Sequence, residues 1–570
     1  ADLATRMAEQ EPDEKRRKEL EQIAAVCRNV PRKKASSFRE AVQSIFFAQI
    51  ALNLESLDNA VCPGRMDQYL LPFYENDINK QAITENQAKE VLAAFSIKLS
   101  EIIPVFSEYL TGIHGGMFNG QVVTVGGTDK TGKDATNALS YMFLDVMDEL
   151  RMRQPNYHAR ICPDSPEKYT DKINAILLSG SNSPALYNDE IIVETMCKHG
   201  YDVEDARNYT GVGCVEPVAQ GKSFASTDAA LANIPIILEM ALNSGRRFNA
   251  FLRSGLKTIP AAQMRSIDDV TKAFEAQLGC QIDHLINDLQ AIETANRKHH
   301  PTPWTSSLLE GCLQSGKCST AGGARYNFSG IQCVAPADTG DALYAIEKAV
   351  FIDQRISLPD LVKQLKKNIP DTELHAYLCN LGKFGNDEPE VDKWTDYVVD
   401  RFIKQLNNRR NTRGGQYVAG LYSVTIHEYY GRITGALPHG RLKGEPFASG
   451  ISPGNGADRQ GPTALINSAN RIDFTRVANG INFNLKFNSH TLKGNSGKTV
   501  LDSLLKTYFQ NGGMQAQVNV LDHDMLVAAR DDPKLFPNML VRVSGYSAYF
   551  NDLSIEMKDE IIKRSYIRVH

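Results

Sequence analysis

The 570-residue chain is predicted to fold as a mixed α/β protein. Segments with helical periodicity alternate along the chain with short β-type runs. Glycine-rich connectors separate these segments at 111–127, 211–222, 320–330 and 450–461. No internal repeat or low-complexity linker interrupts the pattern. Such an alternation is typical of helices packed around a sheet with a large buried core.

The helical segments are justified by the spacing of their apolar residues. In the first, Leu20, Ile23, Ala24 and Cys27 share one face of a helix. Helices are predicted over 3–29, 36–52, 86–100, 136–150, 266–297, 390–411, 497–510 and 552–565. The last is expected to begin at Asn551 or Asp552, either of which can cap a helix N-terminus. Strands are predicted at 121–125 and 540–543.

Composition narrows the class of protein. The content of 42% hydrophobic and 23% charged residues is typical of globular proteins, and a net charge of −4 argues against nucleic-acid binding. No apolar run approaches the length of a membrane span, and the N-terminus lacks the pattern of a secretory signal. The ten cysteines show no Cys-x-x-Cys spacing, so a zinc or dithiol site is not expected. Together these features predict a reduced, cytoplasmic protein.

The segment Gly-Val-Gly-Cys-Val-Glu-Pro at 211–217 brings a thiol close to a carboxylate. If it is extended, Cys214 and Glu216 project to the same side, where the carboxylate can act as a general base. A nucleophilic thiolate needs a neighbouring cation, and the local sequence supplies none. This disfavours a cysteine hydrolase and favours thiyl radical chemistry. A lone cysteine is more often a buried structural residue, so Cys214 needs support from elsewhere in the chain.

That support comes from Gly545, in the strand-like run Arg-Val-Ser-Gly-Tyr-Ser-Ala-Tyr-Phe at 542–550. An isolated strand glycine usually marks a bulge or a close backbone approach. An α-carbon radical on glycine has no side chain that can clash or fragment. If Gly545 and Cys214 meet in space, they can store a radical and deliver it.

Together the two segments resemble the glycyl radical enzymes of the pyruvate formate-lyase-like superfamily. That family carries Arg-Val-x-Gly-Tyr near the C-terminus and Gly-Cys-x-Glu much earlier. Further matching stretches are Pro-Gly-Arg-Met-Asp-Gln at 63–68, Ala-Leu-Pro-His-Gly-Arg at 436–441, Gly-Pro-Thr-Ala at 461–464, Gly-Gly at 512–513 and Gln-Val-Asn at 517–519. The resemblance implies a ten-stranded α/β barrel surrounded by helices, with the Cys and Gly loops meeting inside. It also implies a barrel domain over 1–440 and a glycine radical domain over 441–570, with the family's N-terminal part absent.

The resemblance further implies the chemistry. A separate radical-SAM activase, which carries the S-adenosylmethionine and the iron–sulfur cluster, would install the radical on Gly545. Cys214 would then abstract hydrogen from the substrate while Glu216 manages protons. The chain itself would bind neither cofactor nor metal. The family is commonly dimeric, so a homodimer acting on a small molecule is expected, with no nucleic-acid or membrane partner.

The substrate is read from the branch of the family. Asp58 and Thr425 resemble the hydroxyproline dehydratase branch, where an acid meets the amine and a threonine meets the carboxylate. The 114–120 loop departs from that branch, with His114, Phe118 and Asn119 as the pocket candidates. A different substrate pose would open the ring of trans-4-hydroxy-L-proline to 2-amino-4-ketopentanoate, which is the favoured reading. Hydroxyproline dehydration and a choline- or diol-type reaction remain as alternatives.

Overall fold

The computed structural model describes residues 1–563 except 57–59, 109–110, 112–114, 117–118, 249, 491 and 493. Helices and short strands alternate along this part of the chain, as the sequence predicts. The α-helices are α1 Asp2–Gln10, α2 Glu14–Asn29, α3 Phe38–Glu55, α4 Met66–Tyr69, α5 Leu71–Asn79, α6 Glu85–Ser100, α7 Ala138–Leu150, α8 Glu167–Leu178, α9 Asp189–Lys198, α10 Val203–Arg207, α11 Ile234–Leu242, α12 Ile267–His299, α13 Pro303–Ser307, α14 Cys312–Ser315, α15 Pro336–Ile346, α16 Leu358–Lys366, α17 Thr372–Asn380, α18 Pro389–Leu406, α19 Ile426–Ile433, α20 Gly461–Ala469, α21 Gly494–Gln510, α22 His523–Asp531 and α23 Ile555–Lys563.

Strands of two sheets and two hairpins are distributed between these helices. They are β1 Val122–Gly126, β2 Asn156–Ile161, β3 Ala185–Asn188, β4 Tyr209–Val212, β5 Glu216–Ala219, β6 Ser226–Asn233, β7 Ser329–Val334, β8 Tyr417–Gly420, β9 Asn484–Asn488, β10 Gln515–Leu521, β11 Leu540–Arg542 and β12 Ser547–Tyr549. The larger sheet has the order β1-β2-β3-β10-β9, in which β3 and β10 are antiparallel and the other neighbours are parallel. The smaller sheet is the parallel set β6-β7-β8.

The two sheets are brought together next to the hairpins. An isolated parallel bridge joins Leu421, just after β8, to Ile481, just before β9. The antiparallel hairpins β4–β5 and β11–β12 carry Cys214 and Gly545 at their turns. A separate buried apolar cluster encloses both turns and includes Val215, Tyr422 and Tyr546. The fold therefore isolates the two candidate radical residues from the main core.

Several predicted helix boundaries are wrong. The helix expected over 390–411 ends at Leu406. The helix expected over 3–29 is divided into α1 and α2 at Pro12, because the Asp13 side chain accepts from the Arg16 N–H and starts a new helix. The last helix begins at Ile555 rather than near 552. Its first turn is capped by Ser554, whose Oγ accepts from the Met557 N–H at 3.2 Å.

Other predictions concern the chain as a whole. Within the described residues, no helix combines the length and the apolar character needed to cross a membrane. The same residues contain no group of three or more His, Cys, Asp or Glu side chains suited to a metal ion. The domain boundary at 440/441 stays a prediction.

Candidate active site

The turn of the β4–β5 hairpin, which we call the Cys loop, holds Cys214 fully buried. Gly213 turns the chain with a positive φ of 57°, a conformation that glycine adopts without strain. Gly211 lets the loop approach β2 closely, because a Cβ there would lie 2.0 Å from His158 Nδ1. The two glycines therefore serve the close packing of the Cys loop.

The turn of the β11–β12 hairpin, the Gly loop, presses Gly545 against Cys214. Gly545 has a φ of +92°, and a Cβ built on it would lie 2.2 Å from Cys214 Cβ and 3.1 Å from its Sγ. One α-hydrogen of Gly545 therefore points at the cysteine side chain, and no larger residue fits in this position. The Cys and Gly loops meet, as the sequence predicts.

Hydrogen bonds hold both ends of the Gly545 residue. Its carbonyl accepts from Asn156 Nδ2 at 2.9 Å and from an Arg542 guanidinium nitrogen at 3.0 Å. Its N–H donates to Gln517 Oε1 at 3.2 Å, and the same oxygen accepts from Arg542 Nε. These partners come from β2, β10 and β11, so the position of the Gly545 backbone is fixed by three strands.

Arg542 is a buried cation whose described hydrogen-bond partners are all neutral. Its guanidinium contacts Gln517, Asn156 Oδ1, Ser547 Oγ and the Gly545 carbonyl. Burial lowers the pKa of Arg542 to about 10, which still leaves it charged at neutral pH. A positive charge therefore lies beside the Gly545 peptide.

His158 adjoins this cation and stays neutral. Burial, and then the Arg542 charge, keeps the pKa of His158 well below its usual value. Its Nε2 lies 3.0 Å from Asn156 Nδ2 and 3.2 Å from the Tyr187 hydroxyl, which in turn donates to the Cys214 carbonyl. A neutral imidazole does not supply the cation that a thiolate nucleophile at Cys214 would need.

Glu216 folds back over the Cys loop instead of extending beside the thiol. One carboxylate oxygen, Oε2, accepts from the backbone N–H of Cys214 at 2.8 Å and from that of Val215. The other, Oε1, contacts the Tyr422 hydroxyl at 3.0 Å. Burial, and then the nearby Asp228 charge, raises the pKa of Glu216 to about 8. A carboxyl that titrates near neutrality is suited to proton transfer.

Sequence reasoning missed the polar neighbours of the two loops, among them Tyr422 and Asp228 on the Glu216 side. The Tyr422 hydroxyl lies 2.6 Å from Asp228 Oδ1 and so links the two carboxyl groups. Tyr422 is fully buried, whereas Asp228 is exposed. They are 194 residues apart and share no motif, so only the pairing of β6 and β8 with β7 in one sheet brings them together.

The predicted substrate residues are only partly placed. Thr425 is buried and hydrogen-bonds Tyr546, the residue after Gly545. Asn119 uses its side chain within the fold, because Nδ2 donates to the Ile102 carbonyl at 2.7 Å and Oδ1 accepts from a nearby backbone N–H. The remaining candidates, Asp58, His114 and Phe118, lie outside the described residues.

Family comparisons agree with this geometry. A pyruvate formate lyase-like family model matches residues 1–431, and a glycine radical model matches residues 447–551. The chain therefore belongs to the glycyl radical enzymes of the pyruvate formate lyase-like family, and its fold is of that type.

The relatives narrow the class further. The chain is 34% identical to trans-4-hydroxy-L-proline dehydratase of Clostridioides difficile, over 99% of this chain and 72% of that protein. It is 32% identical to (2S)-3-sulfopropanediol dehydratase of Klebsiella oxytoca, over 99% and 69%. The structure of the B12-independent glycerol dehydratase from Clostridium butyricum superposes with a TM-score of 0.96 at 38% identity, over 99% and 71%. The protein is thus an enzyme of the dehydratase and lyase type.

Proposed function

We propose that this enzyme cleaves a C–N or C–O bond in a small hydroxylated substrate by thiyl radical chemistry. Gly545 stores the radical, Cys214 delivers it and Glu216 exchanges protons with the substrate. The observation that carries the proposal is the direct contact between Gly545 and Cys214 at the centre of a buried cluster. A hydrogen atom can pass between them without any movement of the chain.

The reaction begins with a partner. A radical-SAM activase removes one α-hydrogen atom from Gly545, and the match to a glycine radical model supports this dependence. The Gly545 radical then takes hydrogen from the Cys214 thiol, which leaves a thiyl radical facing the substrate. Because both residues are buried, water and oxygen are kept from the radical.

The preferred substrate is trans-4-hydroxy-L-proline, and the preferred product is 2-amino-4-ketopentanoate. Cys214 takes hydrogen from C4, the hydroxyl proton passes to Glu216, and the C5–N bond breaks as C4 becomes a ketone. The resulting C5 radical recovers hydrogen from Cys214, so the product is an isomer of the substrate. Thr425, next to the Gly loop, is assigned to the substrate carboxylate and Asp58 to the amine.

A second candidate is dehydration, for which Asp228 can supply the acid. With two carboxyl groups linked through Tyr422, one can accept the proton of the hydroxyl that a diol retains while the other protonates its departing hydroxide. Two of the matched relatives are named as dehydratases of polyhydroxylated or sulfonated small molecules. The same two carboxyl groups can equally protonate a departing amine, so they do not exclude ring opening.

Substrate labelling distinguishes the two candidates. The chain is activated anaerobically and given hydroxyproline deuterated at C4, with glycerol and choline in parallel. Ring opening moves the deuterium from C4 to the methyl group of 2-amino-4-ketopentanoate. Dehydration yields pyrroline-carboxylate with the label still on C4, and this product would overturn the ring-opening assignment. Turnover that survives Gly545→Ala would overturn the radical mechanism altogether.

The proposal extends to the setting of the enzyme. We assign it to the cytoplasm, where its ten cysteines stay reduced, and to a homodimer. Light scattering of the purified chain tests the dimer, since a monomeric mass would contradict it.

A further inference from the structure

Tyr422 lies between the carboxyl groups of Glu216 and Asp228. Its hydroxyl is 3.0 Å from Glu216 Oε1 and 2.6 Å from Asp228 Oδ1. Its ring is fully buried in the apolar cluster around the Cys loop. The hydroxyl is therefore held in one place, within hydrogen-bond distance of both acids.

The surrounding amide groups limit the directions in which the Tyr422 hydroxyl proton can point. Gln332 Nε2 donates to the Tyr422 hydroxyl at 2.7 Å and to the Thr227 carbonyl at 2.7 Å, so both of its hydrogens are used. Asn479 Nδ2 also donates to that carbonyl, at 2.7 Å. The Tyr422 hydroxyl lies 3.3 Å from this carbonyl, but the carbonyl already accepts twice, so the Tyr422 proton is directed to one of the two nearer carboxyl groups.

The geometry leaves one proton to be shared by the two acids. The Tyr422 oxygen accepts from Gln332 and has one lone pair left, so it can accept from a protonated Glu216 while donating to Asp228. In the reverse arrangement it donates to Glu216 and accepts from a protonated Asp228. The two arrangements differ only by a shift of one proton along each hydrogen bond, with no heavy-atom movement.

We propose that Tyr422 is a proton relay that passes a single shared proton between Glu216 and Asp228 and so prepares them for each turnover. This rests on the proposed function. At rest Glu216 holds the proton and Asp228 is ionised. When substrate binds, Tyr422 passes the proton from Glu216 to Asp228. Glu216 then takes the substrate hydroxyl proton, and Asp228 gives its proton to the leaving hydroxide of a diol or to the leaving amine of hydroxyproline. Glu216 is then protonated and Asp228 ionised again, which balances the cycle.

The difference in burial supports the assignment of the resting proton to Glu216. Buried Glu216 releases a proton with a pKa of about 8, held there by desolvation and the Asp228 charge, so the shared proton is mobile near neutral pH. Asp228 is exposed and positioned to meet a substrate. The other titratable groups facing this pair are Cys214, Cys62 and Tyr187. Burial raises the pKa of Cys62 to about 12 and of Tyr187 well above its usual value, so neither competes for the proton.

The first test removes the relay oxygen with Tyr422→Phe, which keeps the buried ring. Buried Tyr417, in strand β8, supplies the matched control Tyr417→Phe. After anaerobic activation, Tyr422→Phe should carry the wild-type number of spins per chain. Its kcat on the active substrate among hydroxyproline, glycerol and choline should fall about 100-fold, with KM changed less than about threefold. The control should retain wild-type kcat.

The pH profile gives a signature that a packing role would not. Because turnover needs one shared proton, the wild-type kcat profile should be bell-shaped, and Tyr422→Phe should lose or shift its alkaline limb. A Tyr422→Phe enzyme with full radical content and an unchanged kcat and pH profile overturns the relay. So does a variant in which only KM rises.

A second replacement covers a Tyr422→Phe chain that does not fold or accept the radical. Fluorinated tyrosine at position 422 keeps the hydroxyl and its hydrogen bonds but makes the phenol more acidic. A relay predicts a changed kcat and a displaced alkaline limb, whereas unchanged kinetics overturn it. If the activated wild-type chain converts none of the three substrates, the proposed function fails and the relay fails with it. If the wild-type enzyme is active and the replacements at position 422 change neither kcat nor the pH profile, the relay alone is overturned and the proposed function stands.

Discussion

The surroundings of Gly545 and of Glu216 both border Cys214, but their charged groups have opposite signs. Around Gly545, one buried cation, Arg542, is held by neutral amides and a hydroxyl. Around Glu216, two carboxyl groups share a tyrosine, and the second of them, Asp228, is exposed. The first arrangement fixes a backbone atom in place, and the second can move protons between the interior and the substrate. In the proposed mechanism, a single cysteine therefore separates radical storage from acid–base chemistry.

The largest expected effect breaks the Gly545 side. Gly545→Ala places a methyl group 2.2 Å from Cys214 Cβ in a backbone with φ of +92°. Strain and overpacking together lower the stability of the folded state by about 2–6 kcal/mol. A radical on the alanine α-carbon would also carry a side chain that can clash or fragment. We expect no glycine-centred doublet in electron paramagnetic resonance after activation, and no turnover. A doublet in this variant would place the radical on another residue.

The next largest effect is expected from Glu216→Gln, which should lower turnover and leave the radical intact. Glu216→Gln keeps an oxygen that can accept from the Cys214 N–H, but it removes the base. Turnover should fall about 1,000-fold while the doublet keeps its wild-type intensity. Loss of the doublet together with turnover would mean that the two regions are not functionally separate.

The same variant tests the pKa of Glu216 through stability. Because the folded pKa is raised from 4.5 to about 8, wild-type stability should be greatest below pH 4.5 as far as this group is concerned, and should decline as pH rises to about 8. Glu216→Gln should lack this decline, which urea unfolding at several pH values would measure. Parallel curves for the two proteins would contradict the raised pKa.

A smaller effect is expected from a substitution that displaces the Cys loop through its neighbour Gly480. Gly480 packs against the loop, since a Cβ there would lie 2.4 Å from the Val215 carbonyl, with φ of +80°. Gly480→Ala should lower kcat about 10- to 100-fold through a misplaced Cys214. Gly456 has a similar φ of +73° but nothing within 4 Å, so Gly456→Ala is the matched control. Equal kinetic losses in both variants would assign the effect to backbone strain.

The smallest effect is expected from a substitution of Arg542 that keeps the positive charge beside Gly545. Arg542→Lys loses the planar fork that contacts Gln517, Asn156 and Gly545 at once. Stability should fall by about 2 kcal/mol, measured by urea unfolding, while the doublet still forms. An unchanged free energy of unfolding would mean that these hydrogen bonds do not hold the Gly loop.

Local boundaries show where sequence reasoning stops. The division of the first helix at Pro12 is predictable from the sequence, because proline breaks a helix and Asp13 can cap the next one. The later start of the last helix depends on a 3₁₀ turn at Phe550–Asp552, which follows from how the Gly loop packs. Propensity could not decide between Asp552 and Ser554 as the cap, because either residue is suitable.

The sequence by itself determined that the chain carries the family's motifs, with a glycine at 545, a thiol at 214 and a carboxylate at 216. These are local covalent properties that short segments carry wherever they lie. The tertiary structure alone decided how closely Gly545 packs against Cys214, that Arg542 is a buried cation among neutral groups, and that Tyr422 joins Glu216 to Asp228. Such contacts depend on strand pairing between segments hundreds of residues apart, where no local pattern records the partner.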